Sequence, residues 1–182
     1  ATHPIIRKLT FTGSTEVGSH LMALAAPTVK KLSLELGGNA PVLVFDDADL
    51  ETAVAGTIAT KFRNMGQTCV CANRIYVQDG IHADFVAALA GAVGRLRVGD
   101  GMQEGVEQGP LIDRNAVAKV SEHIADAVAQ GATVATGGAL HELGGTFFQP
   151  TVLAGATASM KIAREETFGP VAPVFRFFTE EE

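Results

Sequence analysis

Tryptophan is missing from this 182-residue chain, tyrosine occurs once and cysteine only twice. Two cysteines separated by one residue, Cys69 and Cys71, cannot build a disulfide framework, which excludes the small bridge-stapled secreted scaffolds and points to a reducing compartment, the cytoplasm. Positive charge is scarce too. The 14 Lys and Arg stand against 20 Asp and Glu, a formal charge of −6. Phosphate backbones are bound by clustered Lys and Arg, so no nucleic-acid partner is expected. Long apolar runs are lacking: Pro41-Val42-Leu43-Val44-Phe45 falls far short of the roughly 20 residues that span a bilayer, so no membrane partner is expected either. His3, His20, His82, His123 and His141 are scattered without metal-ligand spacing to the cysteines, which predicts no metal.

What is present suits a globular protein, with 47% hydrophobic and 19% charged residues. A strand around Ile5 to Phe11, a Gly13-Ser14-Thr15 turn, a helix from Glu16 to Ala25 and a strand from Val29 to Leu34 compose a βαβ unit of the dinucleotide-binding kind. After Gly37-Gly38 the pattern restarts with a buried strand, Pro41 to Phe45, and a helix capped by Asp49 that runs to about Arg63. Beyond the cysteines come a strand at Arg74 to Val77 and a helix from Ala83 to Arg95 with Phe85, Val86, Leu89 and Val93 on one face. A helix from Asn115 to Gln130, with Val117, Val120, Ile124 and Val128 as its stripe, precedes a strand at Thr133 to Thr136. Gly99 to Gly109 reads as a loop. The alternation implies an α/β fold, with residues 1–36 as the end of a cofactor-binding unit and 37–182 as a second domain.

Chemistry concentrates in a few segments. Gly66-Gln67-Thr68-Cys69 lies 34 residues after Glu35 in Glu35-Leu36-Gly37-Gly38-Asn39. A thiolate that attacks a carbonyl and a carboxylate that activates water to release the acyl group are complementary roles, and Cys69 and Glu35 are the residue types for them. Leu34 and Leu36 flank Glu35 and suggest partial desolvation, the setting in which a carboxylate can both take up and release protons. Gly13, Ser14 and Gly18 open a helix whose N-terminal N–H groups suit an anionic diphosphate.

With Glu165-Glu166-Thr167-Phe168-Gly169-Pro170, these motifs closely resemble the NAD(P)-dependent aldehyde dehydrogenase superfamily along essentially the whole chain. The resemblance implies the α/β aldehyde dehydrogenase fold, with Cys69 as nucleophile forming a thiohemiacetal and then a thioester, and Glu35 as the general base of hydrolysis. It implies that Glu166 and Phe168 meet the nicotinamide ribose and ring, and that Gly13, Ser14 and Gly18 lie beneath the NAD or NADP. The backbone N–H of Cys69 is the expected oxyanion donor. Asn39 and Glu165 are expected to be structural. Family chains are more than twice this length, so the chain reads as an internal, truncated portion of a longer protein, and the parent is expected to be a homo-oligomer.

Arg63, six residues before Cys69, resembles the arginine that binds the substrate carboxylate in the succinate-semialdehyde dehydrogenase branch, and Cys69-Val70-Cys71-Ala72-Asn73-Arg74 strengthens that match. The expected substrate is therefore a small aldehyde, succinate semialdehyde, within 4-aminobutyrate degradation. Other ω-carboxy aldehydes, another aldehyde dehydrogenase branch, and a non-catalytic thiol-bearing module are the alternatives. Cys71 is read either as a redox partner forming a strained disulfide with Cys69 or as a core residue under the catalytic loop.

Overall fold

The computed structural model describes residues 1–182, which divide into two compact units, Ala1–Gly38 and Asn39–Glu182. In the first, β1 (Lys8–Thr12) and β2 (Lys31–Glu35) pair in parallel, with Lys8 opposite Lys31 and Thr12 opposite Glu35. The strand expected from Ile5 begins only at Lys8, because Pro4 and Ile5 form a turn and the pairing register starts at Lys8. Between the strands runs α1 (Thr15–Ala25), whose N-cap is Ser14: the hydroxyl oxygen accepts from Val17 N–H at 3.3 Å. A short 3₁₀ turn, Ala26–Thr28, ends on Val29 in the left-handed region, which delays β2 by two residues relative to the sequence expectation.

The second unit is built on a five-stranded sheet. Its strands are β3 (Ala40–Val44), β4 (Ala72–Gln78), β5 (Thr133–Thr136), β6 (Thr151–Ala156) and β7 (Val171–Phe177), in the order β3-β4-β7-β6-β5, and only the β5–β6 pair is antiparallel. Four helices accompany it: α2 (Leu50–Lys61), α3 (Asp79–Val93), α4 (Arg114–Ala129) and α5 (Lys161–Arg164). Strand alternation sends side chains to two cores. Ile75 and Val77 of β4 with Ala172 and Val174 of β7 pack against Val54 of α2 and Phe85, Leu89 and Val93 of α3. Tyr76, Val171 and Phe175 face the other way, toward Val120, Ile124 and Ala127 of α4 and Ile162 of α5. A parallel sheet covered on both faces needs such continuous apolar strands.

Sequence periodicity located α2, α3 and α4 but misplaced some of their ends. α3 starts four residues earlier than expected, at Asp79, and α2 stops at Lys61 rather than Arg63. On α4 the apolar stripe is completed by buried Ala127, while Val128 is exposed. No helix is long and apolar enough to cross a membrane.

Candidate active site

α2 ends where the chemistry begins. Phe62 is buried at the helix end, and the chain then makes a 3₁₀ turn, Arg63–Gly66, in which Asn64, Met65 and Gly66 all have positive φ (50°, 58° and 71°). Asparagine and glycine tolerate this region, but methionine adopts it at a cost, and Met65 is held there by complete burial. Gln67 braces the next residues with its side-chain amide. Its Oε1 accepts from Ile112 N–H at 2.8 Å and its Nε2 donates to the carbonyls of Asn64 and Pro110. A turn closed by Cys71 N–H donating to Thr68 O at 3.0 Å then lifts Cys69 to its exposed tip. Asn64, Gln67, Pro110, Leu111, Ile112 and Phe168 line a pocket beside this loop.

Gly66 has a second reason to be glycine. A Cβ there would lie 2.1 Å from the carbonyl oxygen of Gly169. The cysteine loop and the segment Glu165–Pro170 therefore meet backbone to backbone, and the two motifs, almost a hundred residues apart, form one surface. In that segment Glu166 is half-buried, Thr167 is buried, and Phe168 adopts φ 52° with its ring partly exposed. Arg63 is exposed on the same turn that leads into Cys69.

The two thiols differ. Cys71 is 1% exposed, its sulfur against Thr68 Oγ1 and donating to the carbonyls of Lys61 and Arg63. Both cysteines are free. Cys71 is a buried residue under the loop, its sulfur set against backbone oxygens and not bonded to Cys69 in this structure.

Beneath Cys71 the whole side chain of Lys61 is buried, with Nζ donating to Asn73 Oδ1 at 2.9 Å. Burial pushes its pKa down to about 8, opposed by Cys71 and Glu166. The ordinary lysine value of 10.5 applies to the unfolded chain, so the unfolded state holds more protons between about pH 8 and 10.5 and stability rises with pH across that window. We expect urea unfolding to show a gain of roughly 2 kcal/mol between pH 8 and 9.5 that Lys61→Met abolishes. A variant with the same pH slope as the parent would contradict this.

In the first unit Glu35 ends β2, and its carbonyl accepts from Gly13 N–H at 3.0 Å. The side chain is exposed, not partly desolvated as its neighbours suggested. Leu34, its neighbour in β2, points to the opposite face, and Leu36, beyond the strand end, packs on Gly18. Gly18 is buried, and a Cβ there would lie 2.5 Å from Leu36 Cδ2, while one on Gly13 would meet the Phe11 ring at the same distance. Both glycines let their own unit close up. Ser14 caps the helix with its oxygen and keeps its O–H as a donor beside the first-turn N–H groups. These donors are of the kind a diphosphate needs, and in the second unit the Glu166 carboxylate is an acceptor of the kind a ribose diol needs. Asn39 binds within its own unit: Nδ2 donates to Ala163 O and its backbone carbonyl accepts from Arg74 Nε. No group of three His, Cys, Asp or Glu side chains could hold a metal ion.

Comparison with known proteins matches residues 1–182 to the aldehyde dehydrogenase family. A 3-sulfolactaldehyde dehydrogenase of Pseudomonas putida is 62% identical over 180 residues, 99% of this chain and 37% of that protein. The NADP(+) succinate-semialdehyde dehydrogenase of Escherichia coli is 61% identical, across 98% of this chain and 37% of that protein, and a Pseudomonas aeruginosa glutarate-semialdehyde dehydrogenase is also 61% identical, across 100% and 38%. The crystal structure of succinate-semialdehyde dehydrogenase from Burkholderia pseudomallei superposes with a TM-score of 0.97 at 60% identity, over 99% of this chain and 37% of that one. The chain thus spans a little over a third of the length of the relatives it matches.

Proposed function

The chain belongs to the aldehyde dehydrogenase family, and we propose from that premise that the protein carrying it oxidises succinate semialdehyde to succinate with NAD(P)+. The observation that carries the reading is the seating of Gly66 on the Gly169 carbonyl, which sets the exposed Cys69 loop against the segment bearing Glu166 and Phe168. Cys69 attacks the aldehyde carbon as thiolate, with its own backbone N–H as an oxyanion donor. NAD(P)+, when bound, takes up the hydride. Glu166 orients the nicotinamide ribose, Phe168 packs near the ring, and Gly13 and Ser14 serve the diphosphate, with Gly18 packing the helix beneath it. Glu35 draws a proton from water, whose oxygen attacks the thioester carbon and expels Cys69 as thiolate, and Glu35 then passes its proton to solvent. Residues 1–36 belong, in this reading, to the end of the dinucleotide-binding domain and 37–182 to the catalytic domain.

Substrate choice rests on Arg63. The names of the three relatives all describe aldehydes that carry an acidic group, sulfonate or carboxylate, which a guanidinium on the turn before Cys69 would pair with. The test is NAD(P)H formation by the full-length protein with succinate semialdehyde, glutarate semialdehyde and butanal. Preference for the two acids is expected, and equal rates with butanal would overturn the assignment.

A further inference from the structure

We propose that His123 is a positioning residue for the cofactor segment: from α4 it fixes the residues on either side of Glu166 and so sets Glu166 and Phe168. The inference rests on the reading that Glu166 and Phe168 meet the cofactor. His123 lies on the buried face of α4 and is 1% exposed. Both ring nitrogens are engaged, Nδ1 with Thr167 Oγ1 at 3.0 Å and Nε2 with Glu165 Oε2 at 3.4 Å. One turn earlier on the same face, Val120 packs so closely on Gly169 that an added Cβ would stand 2.3 Å from its Cγ2. A single helix face therefore grips residues 165, 167 and 169, the positions that alternate with Glu166 and Phe168.

Such a grip is needed because Phe168 sits at φ 52°. A non-glycine residue stays in that region only where its surroundings over-determine it. Without the tether the segment would relax toward ordinary dihedrals and carry the Phe168 ring and the Glu166 carboxylate with it.

The chemistry of the partners sets the tautomer. A carboxylate only accepts, so Nε2 carries the hydrogen toward Glu165 and Nδ1 accepts from the Thr167 hydroxyl. Burial pushes the His123 pKa down, Lys119 adds to this, and Glu165 and Glu122 oppose it. Glu122 is itself paired with Lys161 of α5. His123 is thus neutral at physiological pH. Protonation at acid pH would make both nitrogens donors and force the Thr167 hydroxyl to turn round.

Direct titration of NAD+ and NADP+ into the full-length protein without aldehyde, together with amide hydrogen exchange of residues 166–169 without cofactor, tests this. Thr167→Val keeps the buried shape and removes the hydroxyl. It is expected to weaken the preferred nucleotide about tenfold, to speed exchange at 166–169, and to flatten the acid limb of cofactor affinity, with the aldehyde KM little changed. His123→Leu should do the same or more, and His123→Asn, whose Oδ1 can accept from Thr167, should recover most of the loss. Affinity and exchange within twofold of the parent in both Thr167→Val and His123→Leu would overturn the proposal while leaving the dehydrogenase reading intact. Failure of the unsubstituted protein to bind either nucleotide would instead remove the cofactor role of Glu166 and Phe168, and this inference with it.

Discussion

Cys69→Ala in the full-length protein is expected to lower the rate of aldehyde oxidation by on the order of 10⁴-fold or more while leaving nucleotide affinity within twofold. The size of the loss follows from the absence of a substitute on this loop. The neighbouring thiol, Cys71, is sealed under the loop with its sulfur directed to the Lys61 and Arg63 carbonyls. Alanine leaves the loop shape unchanged, because the loop is held by Gln67, by the Thr68–Cys71 turn and by Gly66, none of which involves the Cys69 sulfur. Rate and affinity falling together would mean that Cys69 acts as a structural residue, and a rate within tenfold of the parent would remove it from the mechanism.

Gly66→Ala should be nearly as damaging for a different reason. The new methyl carbon would stand 2.1 Å from the Gly169 oxygen and 2.7 Å from its carbonyl carbon, at a backbone φ of 71° that alanine disfavours. Neither neighbour is a flexible side chain, so one of the two loops must move. A shift of about 1 Å at a reacting group costs on the order of 10²-fold in rate, and overpacking of this kind costs about 1–3 kcal/mol of stability. Gly56→Ala is the control. Gly56 lies inside α2 with open space where its Cβ would be, so that change should stabilise by roughly 0.5–1 kcal/mol and leave turnover alone. Rates and stabilities that failed to separate the two glycines would show that the loop contact does not govern the site.

The sequence was most readable where one periodicity ruled. α4 was located within one residue at each end from its 3.6-residue stripe, and β5 was found from its short β-branched run behind Gly131. β6, Thr151–Ala156, went unseen because Ala154, Gly155 and Ala156 blunt the β signal, and its strand character comes from pairing with β5 and β7. α5 is a single turn, too short for any period. At the site, the motifs named the residue types but not their supports. Gln67 is joined to residues 110 and 112, and Lys61 to Asn73, through contacts that only the fold creates. His123 did leave a trace: it falls on the apolar face between Val120 and Ile124, where a polar side chain asks for a buried partner. Glu35 is exposed although leucines flank it, because neighbours along a chain entering or leaving a strand are not neighbours in space.

The central claim, a cysteine dehydrogenase of acid-bearing aldehydes, is tested most directly by NAD(P)H formation from succinate semialdehyde and from butanal, each with the full-length protein and its Arg63→Ala variant. The account predicts a preference for the semialdehyde of at least about a hundredfold, matching the loss of a bidentate charge-assisted pair, which collapses in the variant while the butanal rate stays within a few-fold. Equal rates on the two aldehydes, or a preference that survives Arg63→Ala, would contradict it.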